Sequence, residues 1–143
     1  MTSRHAASRP LNVVLALAGG VAVLTVAAGM APELRGLVVT DRASRAAAVT
    51  GGDPERGRTL ILAYGCGYCH TVPGVREARG LVGPSLEHVA SRVYIAGVLP
   101  NKPSELERWL RDPPAVDPRT AMPNVGVGEE DARDLAAYLY TLY

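Results

Sequence analysis

The 143-residue sequence contains no phenylalanine, one tryptophan and six tyrosines. Aromatic rings dominate most protein interiors, so a domain built from this chain is short of bulky apolar side chains. Something other than side chains must fill part of its core. Cysteine is scarce too, with Cys66 and Cys69 alone in the chain. Two cysteines exclude a disulfide framework and a four-cysteine zinc site. Lysine occurs once, at Lys102, and 15 basic residues against 14 acidic ones leave a net charge of +1. That balance argues against a nucleic-acid binder held by a basic face. The length suits one ordinary domain plus additional chain. Mean hydropathy is nonetheless slightly positive while 20% of residues are charged. Such an average points to a divided chain.

Acidic residues are absent before Glu33, and residues 11–30 carry no charge of either sign. At about 1.5 Å per residue this apolar run reaches roughly 30 Å as a helix, the thickness of a bilayer core. Arg4, His5 and Arg9 precede it without an acid, so the positive-inside rule places residues 1–10 in the cytoplasm and the remainder outside. The competing reading is a cleaved signal peptide, with Val26 and Ala28 as small residues before a cut. The run is longer than the roughly 7–15 residues of a signal core, which favours an uncleaved anchor. No cysteine lies nearby, so a lipid-modified cysteine is excluded. Residues 31–51 read as a linker, in which 43–49 form at most a helical turn or two.

Residues 52–143 read as one helical domain. Asp53-Pro54-Glu55 is a helix start with an Asp cap, Pro at the first position and acid in the first turn. Leu60, Ile61 and Tyr64 form its apolar face, and Gly65 ends it. Ser104 and Glu107 have capping-box spacing ahead of Leu106, Trp109 and Leu110, and Asp112-Pro113-Pro114 stops that helix. Glu129, Glu130 and Asp131 open a last helix whose Ala132, Leu135, Ala136, Tyr138, Leu139 and Leu142 recur at helical spacing. A shorter helix is expected over 85–92. No alternating strand pattern competes.

Cys66-Gly67-Tyr68-Cys69-His70 is a C-x-x-C-H element, the attachment motif of a c-type haem. Two thiols at this spacing reach the two vinyl groups on one side of a porphyrin, and the adjacent His brings an imidazole to the iron. A thioredoxin-like pair would need a βαβ context that the helical pattern lacks. Zinc would need four ligands, and only His88 remains beyond the cluster. Export by the apolar segment agrees, because c-type haem is attached outside the bacterial membrane.

For the sixth iron position the candidates are few. Met1 begins the chain and Met30 lies in the apolar run, which leaves Met122. It sits within the proline-rich stretch 113–123, expected to be stiff and extended, where few unfolded states are lost on holding a sulfur in place. The alternatives are a Met that packs in the core and His88 as the ligand instead. A His/Met pair raises the reduction potential.

In combination with Gly83-Pro84-Ser85-Leu86, Trp109-Leu110-Arg111-Asp112-Pro113 and Thr120-Ala121-Met122-Pro123, the haem motif resembles a class I cytochrome c. The resemblance covers 52–143 and is nearest to membrane-anchored bacterial cytochromes c found with haem-copper oxidases. It implies an all-α cytochrome c fold, three to five helices around one haem c attached through Cys66 and Cys69, preceded here by one transmembrane helix. It also implies that the Pro84 carbonyl accepts the second N–H of His70, and that Trp109 with Arg92 or Tyr94 reaches the haem propionates. Gly57 and Tyr138 match the family's close contact between terminal helices. Gly128 stands where the family often has a Ser or Thr cap.

The resemblance accounts for the missing phenylalanine, since a buried porphyrin supplies core. It implies a one-electron carrier rather than an enzyme, because two protein ligands leave no open iron site. The partners it implies are a quinol-oxidising bc-type complex as donor and a haem-copper oxidase as acceptor. A fixed haem subunit of an oxidase or dehydrogenase and a haem-based gas sensor remain as other readings.

Overall fold

A computed structural model describes residues 36, 38 and 40–143. The expected anchor over 11–30 lies outside the described residues. Among the described residues no helix is long and apolar enough to cross a membrane. Nearly all of them belong to one compact unit, Val39–Tyr143.

Helix α1 is described continuously over residues 40–50. It is longer than the turn or two expected of a linker, and it is not detached from the domain. Ala46 is fully covered and Thr50 is buried, with the Thr50 hydroxyl donating to the Ala46 carbonyl at 2.8 Å. The Arg42 guanidinium lies 5.8 Å from the ring centroid of Tyr143, near the reach of a cation–π contact. An alanine-rich segment has high intrinsic helicity, and one buried face is enough to keep it.

Helix α2, Pro54–Ala63, begins as expected: the Asp53 carboxylate accepts from the N–H groups of Glu55 and Arg56 at 2.9 and 3.3 Å. Gly65, at φ +70°, lets the chain leave the helix and enter α3, the single turn Cys66–Cys69. The last helix, α6, spans Glu129–Leu139 with Gly128 as its cap residue. α2 packs on α6 more extensively than any other pair of elements. The crossing depends on Gly57, where a Cβ would stand 1.9 Å from the Asp134 carbonyl oxygen and 3.0 Å from the Tyr138 Cβ. Both residues of the expected terminal-helix contact therefore meet there.

Elsewhere the structure departs from the sequence reading. α4 is Pro103–Arg111, capped by Lys102 without a side-chain bond. Ser104 therefore lies inside the first turn and forms no capping box. Pro103 sets the start, because its fixed φ and missing N–H suit the first helical position. The same chemistry turns Pro113–Val116 into a short helix, α5, where an extended chain was expected. The helix expected over 85–92 is reduced to one 3₁₀ turn, Val89–Ser91, after His88 in the left-handed region at φ +56°. Its carbonyls bond outward instead: the Asn101 amide donates to Val89 and Arg92, each at 2.8 Å. A small hairpin follows, in which β1, Tyr94–Ile95, pairs antiparallel with β2, Leu99–Pro100. Its turn places Ala96 and Gly97 at φ +50° and +77°, the pattern of a hairpin turn with two positive-φ centres.

Candidate functional site

α3, the loop 80–88, the hairpin, α4 and the loop 117–128 surround a cavity of about 590 Å³. Cys66, Cys69, His70, Pro84, Arg92, Tyr94, Trp109 and Met122 all line it. The structure thus brings these eight candidates into one wall and leaves out His88, the rival ligand. The apolar remainder of the wall comes from the core faces of the helices, including Ile61, Leu106 and Leu135. The volume falls within the range of cofactor pockets, and the lining is of their usual kind.

The single turn of α3 sets the local geometry. The His70 N–H donates to the Cys66 carbonyl at 2.9 Å, and the Gly83 N–H donates to the Cys69 carbonyl at 2.8 Å. These bonds bring the loop 80–88 against the histidine. His70 Nδ1 lies 2.7 Å from the Pro84 carbonyl oxygen. A carbonyl only accepts, so Nδ1 carries the proton and Nε2 keeps its lone pair for an electrophile. Gly83 was quoted in the sequence motif, but its contact with the ring was not foreseen. A Cβ there would stand 2.4 Å from Cε1 and 2.7 Å from Nδ1 of His70.

Met122 is half-buried against the core and lies in the opposite loop. Its N–H donates to the Thr120 hydroxyl at 3.1 Å, a turn that aims the residue into the cavity. Thr120 was missed as a positioning residue. The Asp117 C-cap and the prolines around it are its context in sequence. His88, the rival ligand, is exposed, lies 3.7 Å from Glu87 and does not line the cavity. The left-handed backbone at His88 turns it away.

Trp109 is buried on the inner face of α4. Arg92 is the one Lys, Arg, Asp or Glu in the lining, and its guanidinium donates to the carbonyls of Ser85 and Glu87, the latter at 3.1 Å. Tyr94 is exposed at the cavity edge. Burial pushes the Cys66 thiol up from its ordinary pKa. A raised pKa opposes the thiolate that a thiol–disulfide exchange catalyst requires. Among the described residues no group of three or more His, Cys, Asp and Glu is placed to hold a metal ion by itself.

The cytochrome c family profile matches residues 54–143. The chain belongs to the cytochrome c family. The cytochrome c domain so defined is mostly helical and includes every residue of the cavity wall. Membership makes the chain an electron-transfer haem protein and implies haem c as its group, compatible with Cys66 and Cys69 in a C-x-x-C-H motif. The fit is local as well as familial: paired thiols, an imidazole with Nε2 free and a thioether face one apolar cavity. Two curated relatives are both named cytochrome c oxidase subunit 2. One, from Alkalihalophilus pseudofirmus, is 36% identical over 89 residues, covering 62% of this chain and 25% of the relative. The other, from Bacillus sp. (strain PS3), is 35% identical over 86 residues, covering 57% and 24%. This cytochrome c chain therefore spans about a quarter of the length of those proteins.

Proposed function

We propose that this cytochrome c carries single electrons through one haem c, which Cys66 and Cys69 would bond and whose iron His70 and Met122 would ligate. The observation that carries the reading is the pairing of a Pro84-anchored imidazole with Met122 in the wall of one cavity. Haem, when bound, supplies a one-electron iron couple. The chain's own residues fix its surroundings. Pro84 holds the His70 tautomer and strengthens it as a donor. Thr120 orients Met122, Trp109 closes the inner wall, and Arg92 with Tyr94 offers donors at the propionate edge. Two protein ligands leave no site for substrate, which supports a carrier rather than an enzyme.

The acceptor in this reading is a haem-copper oxidase, with a quinol-oxidising bc-type complex as donor. Support for the acceptor comes from the relatives: in each, the segment like this chain is part of an oxidase subunit. That same observation favours a second reading, a fixed haem subunit, which stoichiometric co-purification with an oxidase in mild detergent would distinguish from a mobile carrier. The placing of residues 1–10 in the cytoplasm and of an anchor over 11–30 belongs to this proposal, with the haem domain over 52–143 extended at its start by the packed helix α1. So does a haem domain on the outer, periplasmic face of the inner membrane. An anchor raises the effective concentration of carrier near membrane partners.

The ligand assignment is tested by Met122→Ala. The variant is expected to lose the weak far-red absorption band of an iron–Met bond, to bind carbon monoxide and to have a lower reduction potential. Rapid carbon monoxide binding by the wild type, as in a gas sensor, would overturn the carrier reading.

A further inference from the structure

Asn101 is a half-buried residue whose whole side chain is engaged. Its amide nitrogen donates to the carbonyls of Val89 and Arg92, each at 2.8 Å. Its Oδ1 accepts from the Tyr140 hydroxyl at 2.9 Å, and its backbone N–H donates to the Val93 carbonyl at 3.0 Å. Two carbonyls on one end and a hydroxyl on the other fix which end is the nitrogen, since a carbonyl only accepts. Tyr140 is the residue that ends α6, and burial pushes its phenol up to about 12. The hydroxyl therefore stays a donor well above neutral pH. Beside it the Ala90 N–H donates to the Leu142 carbonyl at 3.1 Å. The turn at 89–92 is thus fastened to the end of α6.

The bonds continue from that turn to the haem motif. Arg92 Nη2 donates to the carbonyls of Ser85 and Glu87, the latter at 3.1 Å. Ser85 follows Pro84, whose carbonyl accepts from His70 Nδ1 at 2.7 Å. Pro84 has no N–H of its own to hold it in place, so its neighbours must set its position. On the motif side, the N–H groups of Gly83 and Leu86 donate to the carbonyls of Cys69 and Thr71 at 2.8 and 2.9 Å. On the far side the support is Arg92. Bonds from a guanidinium are charge-assisted and roughly twice as strong as neutral ones. They hold the loop only if the backbone of Arg92 is itself held.

We propose that Asn101 is a positioning residue for the iron ligand. Anchored on Tyr140, it holds Arg92, and Arg92 holds the loop so that the Pro84 carbonyl stays on the Nδ1–H of His70. The proposal rests on the haem reading above. Asn101 does not line the cavity and acts only through the residues between. Removing its amide leaves the carbonyls of Val89 and Arg92 without these bonds and frees the backbone under the guanidinium. The Pro84 carbonyl then drifts, and the imidazole loses part of the donor strength that a held hydrogen bond gives it.

The test uses the full-length holoprotein and reads two properties of its folded state, which a residue that merely adds stability leaves alone. One is the NMR resonance of the His70 Nδ1–H in the reduced protein, and the other is the reduction potential. Asn101→Ala should move the resonance upfield, as for a weaker hydrogen bond. It should also raise the potential, because a less basic imidazole stabilises ferric iron less. The expected change is about threefold in the equilibrium for reduction, or roughly 30 mV at 59 mV per tenfold. Tyr140→Phe removes only the outermost bond and should shift both readings the same way by less; it decides the matter if Asn101→Ala does not fold. In an Arg92→Gln background, Asn101→Ala should add no further shift, since coupled residues are not additive. A resonance left in place by either variant would overturn the proposal. So would an unchanged potential, a fall in potential (the sign of water reaching the iron) or a full-sized increment in the Arg92→Gln background. A wild type without covalently bound haem would instead remove the electron-transfer reading itself.

Discussion

A histidine can bind iron well only if its ring is held, and here two neighbours hold it from one loop. The Pro84 carbonyl accepts the hydrogen bond from Nδ1–H, while Gly83 passes so close to the ring that a Cβ there would stand 2.4 Å from Cε1. Pro84 was readable in the sequence through the family motif, because a carbonyl partner for His70 is part of that resemblance. The Gly83 contact was not readable, since a glycine next to a proline suggests a turn and gives no hint of what lies over it. Its consequence is testable. In Gly83→Ala the new methyl must displace the imidazole or the loop, an overpacking that costs about 1–3 kcal/mol. The expected outcome is less haem incorporated per chain and a lower melting temperature, read from the haem-to-protein absorbance ratio and thermal denaturation. A variant with full haem content and unchanged melting would show that the loop moves freely and does not hold the ring.

Helices with strong end signals were legible, and elements made by tertiary bonds were not. α2 and α6 carry Asp, Pro and Glu where helix starts require them, and their apolar spacing survives folding intact. β1 and β2 have two residues each, too few for alternation to show. The segment 85–92 lost its helix to side-chain bonds from Asn101 and Arg92, partners that local spacing cannot reveal. A polar knot at the α2–α6 crossing was equally hidden. Asp131 accepts from the Tyr64 hydroxyl and from Arg56, while Arg56 also bonds Asp134, whose carboxylate takes the Asp53 N–H at 2.7 Å. The Tyr64 hydroxyl, and then Arg56, hold the Asp131 carboxyl below its usual range. A depressed folded pKa adds stability above the unfolded value, near pH 4, that is lost as pH falls through the folded one. The bond to Asp131 raises the Tyr64 phenol. A phenol raised on folding adds stability below its unfolded pKa, about 10, and that stability is lost as pH rises through the folded value. Asp131→Asn should therefore lower the melting temperature at neutral pH and flatten both the acid and the alkaline limbs. Melting curves from about pH 3 to pH 11 would check this, and limbs as steep as the wild type's would exclude the knot as their source.

Across the whole domain, the lack of phenylalanine and the size of the cavity are two views of one fact. The buried side chains are mostly Ala, Val and Leu, with Trp109 and Tyr138 as the only buried aromatics among the described residues. They close around a space of about 590 Å³ rather than around each other. Cavity-creating substitutions cost about 24 cal/mol per Å³. Leaving this volume unfilled would thus cost on the order of 10 kcal/mol, as much as the entire stability of an ordinary domain. The buried Ala46 of α1 and the α2–α6 contact cannot offset a loss of that size. Cys66→Ala with Cys69→Ala removes both thioether positions while leaving every helix cap and apolar face in place. That chain is expected to show a weak, non-cooperative far-ultraviolet circular dichroism signal. Haem added back should restore part of the helix signal through His70 and Met122. A full native helix signal in the doubly substituted, haem-free chain would mean that the side chains alone close the core and that the cavity collapses on its own.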